Sequence, residues 1–168
     1  DMKLEKDLYE VACDAIDSLN AQDPSKITVD GKEWPVELLY SVRMVEEVEE
    51  FIPDASDELK IAVRAQHIAR WRSPRSDYPQ NREGYLKWRS ELYGLHAQYA
   101  GEELNSYGID AEFTSAVETI VVNKVKRNSY ETQSLEDVAC LVFLRHYFEE
   151  FIEKHTGEKL QRIILKTW

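Results

Sequence analysis

The run VACLVFL, Val138–Leu144, consists entirely of apolar residues and decides the predicted fold. It follows Ser134 and Asp137, a serine and an acid three residues apart, which is the pattern of a helix-capping box. A helix that is apolar on every side is typical of the buried centre of a helical bundle. We therefore predict that a helix beginning at Ser134 lies at the centre of the fold.

Five further helices are predicted around this one, because apolar residues recur at steps of three and four, the period of an amphipathic helix. These predicted helices span residues 3–19, 35–52, 57–70, 82–107 and 111–126. A loop with a short extended piece at residues 27–29 separates the first two, and the acidic run at residues 46–50 is expected to face solvent. The predicted fold is all-α, a single domain over residues 1–168 formed by a bundle of about six helices.

Composition limits the classes of function. A chain of 168 residues that is 43% hydrophobic can form a core without disulfides or metals, and Cys13 and Cys140 are expected to be buried free thiols in a reducing compartment. A net charge of −11 argues against binding to duplex nucleic acid. No segment approaches the roughly 18 apolar residues of a membrane span. We expect a cytoplasmic protein that binds no membrane, with a homodimer left open.

The block Leu59–Gln98, LKIAVRAQHIARWRSPRSDYPQNREGYLKWRSELYGLHAQ, is basic and aromatic in an otherwise acidic chain. Such a cluster concentrates its field on a small anion, and guanidinium groups pair well with phosphate. We therefore predict a small anionic, phosphorylated ligand. The candidate binding residues are Arg64, Arg70, Arg72, Arg75, Tyr78, Arg82, Trp88 and Arg89. A purely structural alternative has equal weight: the arginines pack on the neighbouring aromatic rings.

His67, His96 and Asp137 fall on three different predicted helices, an arrangement found in metal sites inside helical bundles. Imidazole and carboxylate ligands suit zinc, iron or manganese. His67 would point inward, because the predicted helix places it in line with Val63. The alternative is that both histidines are ordinary buried residues bonded to carbonyl groups and that Asp137 caps its helix.

The motifs AQHIARWRSPRSDYP, REGYLKWR, LHAQYA and QSLEDVACLVFL resemble a family described as domain of unknown function 4202. The order of helices also resembles, more distantly, the HD superfamily of metal-dependent phosphohydrolases. LKIAVRAQHIARW is similar to the helix that bears the His-Asp signature, and LEDVACLVFL is similar to a late helix, which puts Asp137 at the metal-binding aspartate. The chain departs from that pattern, because Gln66-His67 stand where the superfamily has His-Asp and no histidine precedes His67.

The resemblance implies an HD-like fold and a phosphohydrolase for a small phosphorylated metabolite or nucleotide. A divalent metal (Mn, Fe or Zn) held by His67, His96 and Asp137 would activate a water. Glu136 would orient that water or a ligand, and Lys124 would stabilise the phosphoryl group. Two alternatives remain open: a non-catalytic anion- or nucleotide-binding module with a degenerate site, and an iron-dependent oxygenase on the same scaffold.

Overall fold

A computed structural model describes residues 3–155 and 157–167 and confirms the predicted all-α class. Within these residues the α-helices are α1 (Lys6–Asn20), α2 (Val36–Phe51), α3 (Asp57–Arg64), α4 (Arg82–Ser106), α5 (Ala111–Val122), α6 (Tyr130–His146), α7 (Phe148–Glu153) and α8 (Gly157–Thr167). The strands β1 (Lys26–Val29) and β2 (Lys32–Pro35) form an antiparallel hairpin. The ends of α2 and α4 lie within one residue of the predicted boundaries.

The hairpin depends on Asp30 and Gly31, which join its strands. Both residues have positive φ angles, 50° and 76°. This combination defines the tight two-residue turn that Asp-Gly favours. The register pairs Lys26 with Pro35 and Val29 with Lys32. The predicted extended piece at residues 27–29 is therefore one half of a hairpin, and its second strand leads directly into α2.

One hydrophobic core holds the helices together, and α3 lies at its centre. This helix contacts α1, α2, α5 and α6. Its fully buried apolar residues are Leu59, Ile61, Ala62 and Val63. In contrast, α6 buries Val138 and Val142 but leaves Leu144 37% exposed. The prediction that Val138–Leu144 occupies the centre was therefore wrong, because one side of α6 faces outward.

The helix α3 ends at Arg64 and does not continue to Arg70 as predicted. Residues 65–69, here called the histidine turn, follow it, and Ala69 has a φ angle of 54° in the left-handed region. Three side chains from other elements bond to this part of the backbone. The bonds join Asn20 Oδ1 to the Ala69 amide (3.3 Å), Ser41 Oγ to the Arg64 carbonyl (2.8 Å) and His96 Nδ1 to the Ile68 carbonyl (2.8 Å).

These bonds supply partners for backbone groups that a longer helix would pair internally. His67 therefore lies in a turn, and the prediction that it continues the line of Val63 on a helix was wrong.

The helix α6 begins at Tyr130, before the predicted start at Ser134. Ser129 Oγ accepts from the Thr132 amide at 3.1 Å, and Thr132 Oγ1 accepts from the Ser129 amide at 3.0 Å. This pair forms the capping box. Asp137 consequently lies about two turns inside the helix, so the predicted capping role was wrong. The preceding helix α5 also stops early, and Lys124–Lys126 form a separate 3₁₀ turn.

Glu47 and the two cysteines differ from the predicted burial. Glu46, Glu49 and Glu50 are exposed as predicted, but Glu47 is 5% exposed and its Oε1 lies 3.2 Å from Arg145 Nε. Both cysteines are free, and each is half-buried where full burial was expected. In the described part of the chain, no helix is both long and apolar enough to cross a bilayer.

Candidate functional site

A buried carboxylate, that of Glu37, lies in the first turn of α2. The neighbouring backbone is fixed by Asp23, whose carboxylate accepts from the amides of Glu37 and Ser25, both at 2.9 Å. The Glu37 side chain is 11% exposed, and its Oε2 has no hydrogen-bond partner among the described residues. Burial raises the pKa of Glu37 to about 7, because the charged form loses hydration, while Arg70 and His96 act in the opposite direction.

His67 faces this carboxylate from the histidine turn. Its Nδ1 lies 3.5 Å from Glu37 Oε2, and its ring stacks on Tyr40 with centroids 4.0 Å apart. The Tyr40 hydroxyl donates to Gln66 Oε1, and this bond fixes the Tyr40 ring against the histidine turn. Burial and the nearby cations, Arg70 first among them, hold the pKa of His67 well below its ordinary value. The imidazole is therefore neutral at physiological pH.

His96 supports the histidine turn from α4. It is 4% exposed, where the sequence placed it at the edge of the apolar stripe, and its Nδ1 lies 2.8 Å from the Ile68 carbonyl oxygen. A carbonyl can only accept, so Nδ1 carries the proton. Burial lowers the pKa of His96 to about 3, which keeps the ring neutral. The ring centroids of His96 and His67 are 6.0 Å apart.

Two cavities meet at Glu37 and Arg70. The aromatic cavity has a volume of about 340 Å³, and Tyr40, Phe143 and Tyr147 are among its walls. The tryptophan cavity has a volume of about 210 Å³, and its walls include Trp71, Ser73, Pro74 and Trp88. Val36, Glu37 and Arg70 line both cavities and are here called the shared wall. One side chain with a carboxylate and one with a guanidinium therefore line both cavities.

Arg70 is the cation of the basic block that lines both cavities. Its guanidinium lies over the Trp88 ring at 5.1 Å, and Nη1 lies 3.4 Å from His67 Nδ1. Arginine can only donate, so this contact makes Nδ1 an acceptor, and Nδ1 has no proton to offer Glu37. Within the described residues Arg70 forms no ion pair with a carboxylate. Its charge therefore remains available to a ligand.

Two other predicted binding arginines have protein partners. Arg64 Nη1 lies 2.7 Å from Asp17 Oδ2, in an ion pair between α3 and α1. Arg75 lines the tryptophan cavity, but its guanidinium donates to carbonyl groups of its own loop. Those carbonyls belong to Tyr78 (3.3 Å), Pro79 (2.8 Å) and Asn81 (3.2 Å). The structure thus gives both guanidinium groups roles in holding the fold.

The remaining predicted binding residues divide between the cavity and the surface. Trp88 lines the tryptophan cavity, and its Nε1 donates to the Ser73 carbonyl at 2.8 Å. Arg72 lies over Tyr99 at 5.2 Å, and Arg89 Nη2 donates to the Tyr93 hydroxyl at 2.9 Å. Tyr78 donates to the Glu91 carboxylate, and Arg82 is exposed at the start of α4. Cation–aromatic packing, the structural alternative, accounts for several of these positions.

The residues predicted to be catalytic lie outside the shared wall. Lys124 is 8% exposed, and its Nζ lies 3.8 Å from Glu136 Oε2. Burial lowers the pKa of Lys124 to about 8. Asp137 Oδ1 accepts from Gln133 Nε2 at 2.8 Å, one turn earlier on α6. Neither cavity is lined by Lys124, Glu136 or Asp137.

The predicted metal ligands do not form one set. No group of three His, Cys, Asp or Glu side chains in the described residues is arranged to hold a metal ion. His67 and His96 are neighbours, but Asp137 does not join them. The Arg70 guanidinium also occupies His67 Nδ1, where its positive charge would oppose a bound cation. The described side chains therefore do not fit the predicted metal, and metal binding stays a prediction from sequence.

Sequence reasoning missed Glu37, Tyr40 and Tyr147. An acid in the first turn of a helix is common because it interacts favourably with the helix dipole, so Glu37 gave no special signal. Both tyrosines follow the helical spacing of core residues. Only the aromatic cavity, which both tyrosines line together with His67 and Arg70, identifies them as part of a site.

A family model described as a domain of unknown function (DUF4202) matches residues 10–168. Because this match covers nearly the whole chain, the protein belongs to that family. No curated protein and no solved structure matches the chain. The family resemblance predicted from the motifs is confirmed, and the more distant resemblance to the HD superfamily stays a prediction.

Proposed function

We propose that this protein binds a small metabolite through a phosphate or carboxylate group held by Arg70. The observation that carries the proposal is a half-buried guanidinium without an ion-pair partner among the described residues, in a wall common to two cavities. The planar guanidinium matches the geometry of an oxyanion and can donate two parallel hydrogen bonds.

The local electrostatic field supports this proposal. Arg70, Lys124 and Arg89 all depress the pKa of His67, which means that their positive charges act together at the site. The molecule as a whole carries a net charge of −11. A small positive region in such a molecule favours a compact anion over an extended polyanion such as duplex nucleic acid.

The proposal is tested by titrating the protein with inorganic phosphate and with acetate in a calorimeter. Wild type should bind at least one of them, and Arg70→Gln should weaken that binding about tenfold or more, because a charge-assisted hydrogen bond is lost. The affinity of Arg70→Lys should lie between those of wild type and Arg70→Gln, because lysine keeps the charge but lacks the planar guanidinium group. Arg162→Gln, an exposed site on α8 outside both cavities, is the charge-matched control.

Equal affinity in wild type and Arg70→Gln would contradict the proposal, as would a wild-type protein that binds neither anion. Thermal unfolding of each variant confirms that the comparison is made between folded proteins.

The metal-dependent phosphohydrolase and the iron oxygenase remain predictions from sequence. Metal content of protein purified without chelator or histidine tag checks both. Near-stoichiometric metal that disappears in His67→Ala would support them, and failure to take up zinc, manganese or iron would contradict them.

A further inference from the structure

We infer that the ligand of this site is zwitterionic, with an oxyanion at Arg70 and an ammonium group in the aromatic cavity beside Glu37. The inference rests on the proposed function and adds the chemical class of the ligand. It follows from three features of the cavity: an unpartnered buried carboxylate, a set of tilted aromatic rings, and the separation of the two opposite charges of the shared wall.

The carboxylate of Glu37 lacks a cationic partner. Its Oε2 makes no hydrogen bond within the described residues, and the nearest nitrogen, His67 Nδ1 at 3.5 Å, belongs to a neutral ring that accepts from Arg70. A buried carboxylate with no hydrogen bond or close ion pair at this oxygen is unfavourable, although the charge of Arg70 offsets part of that cost. The raised pKa of Glu37, about 7, has this same cause. An ammonium group in the aromatic cavity would bring a positive charge close to this carboxylate.

The aromatic rings suit a rounded cationic group. Tyr40 and Tyr147 have centroids 6.0 Å apart and planes inclined by 49°, and Phe143 lies in the same cavity wall. The faces of aromatic rings attract cations. Tyr147 already interacts with one, because the Arg43 guanidinium lies 5.2 Å from its centroid.

The two charges of the shared wall are not matched to each other. Glu37 and Arg70 form no ion pair, although the charge of Arg70 acts to lower the pKa of Glu37. A purely anionic ligand at Arg70 would bring negative charge close to Glu37. A purely cationic ligand would bring positive charge close to Arg70. A ligand that carries both charges satisfies both side chains.

A matched pair of probes tests the inference. 2-Aminoethyl phosphate and propyl phosphate differ only in an ammonium group against a methyl group, and 4-aminobutanoate and pentanoate form the corresponding carboxylate pair. Dissociation constants are measured by calorimetry at about pH 8, where Glu37 is mainly ionised. We expect the ammonium compound of at least one pair to bind wild type about tenfold more tightly. The pair that binds identifies the oxyanion as phosphate or carboxylate.

Glu37→Gln keeps the shape of the side chain but removes its charge. In this variant the two members of the binding pair should bind with similar affinity, whereas Arg70→Gln should weaken both members. If wild type binds both members equally, or if the preference persists in Glu37→Gln, the zwitterion inference is wrong while the oxyanion site stands. If wild type binds none of the four compounds, the proposed function fails with it.

Discussion

Arg70 and Arg75 begin the two short 3₁₀ turns that follow the histidine turn, and both line the tryptophan cavity, yet their surroundings differ. Arg75 donates to three carbonyl oxygens of its own loop. Within the described residues Arg70 contacts a neutral imidazole nitrogen and the face of a tryptophan, and it forms no ion pair. A count of charges treats these residues as equivalent. Their hydrogen bonds show that Arg75 stabilises the loop and that Arg70 is open to a ligand.

The largest expected effect on the free energy of unfolding comes from Glu37, the other charged residue of the shared wall without an ion pair. Its pKa is raised from 4.5 to about 7 on folding, so the folded protein keeps a proton that the unfolded chain releases. The resulting stabilisation is present below about pH 4.5 and is lost as the pH rises through about 7. Glu37→Gln should abolish this loss, which amounts to at most about 3 kcal/mol.

The measurement is urea unfolding of wild type and Glu37→Gln between about pH 4.5 and pH 8. The stability of the variant relative to wild type should grow as the pH rises. His67 and His96 contribute to the pH dependence of both proteins, and His96 interacts electrostatically with Glu37, so the difference reports Glu37 together with that interaction. Glu49→Gln, on the exposed face of α2, serves as the control. An unchanged stability difference across this pH range would contradict the prediction.

A smaller effect is expected when Arg75 is replaced. Arg75→Gln should lower the free energy of unfolding by about 1–2 kcal/mol, because its bonds to the loop carbonyls are lost. Arg70→Gln should cost less than about 1 kcal/mol, mainly through its contact with Trp88. Urea unfolding measures both, with the exposed Lys87→Gln as control. A larger loss of unfolding free energy in Arg70→Gln than in Arg75→Gln would contradict the roles assigned to these two arginines.

The sequence predicts the helices whose ends carry local signals. Pro35 ends the hairpin before α2, and Asn81 caps α4 by accepting from the Gly84 amide at 2.8 Å. The end of α3 carries no such signal, since neither glycine nor proline occurs between Arg64 and Ala69. It is determined by side chains distant in sequence, on α1, α2 and α4, that bond to the backbone of the histidine turn.

The candidate site was predictable only in part. Composition indicated an anion site and included Arg70, and the histidines were recognised as unusual. Charge and residue type could not separate Arg70 from Arg64, because the partner of Arg64 lies on α1. Glu37 could not be identified, since its burial results from the packing of α2 against the histidine turn and α6. The spacing of Ser134 and Asp137 also predicted the wrong start of α6. Asp137 was therefore placed in the first turn of the helix, although it lies about two turns inside.

The role of Arg70 in anion binding can be tested by locating a bound oxyanion. Crystals of the protein soaked in selenate, a tetrahedral oxyanion like phosphate, can be measured at the selenium absorption edge. We predict an anomalous peak at the shared wall, with selenate oxygens within hydrogen-bond distance of the Arg70 guanidinium. Selenate bound at exposed arginines such as Arg72 or Arg82, with none at Arg70, would show that Arg70 does not bind the oxyanion.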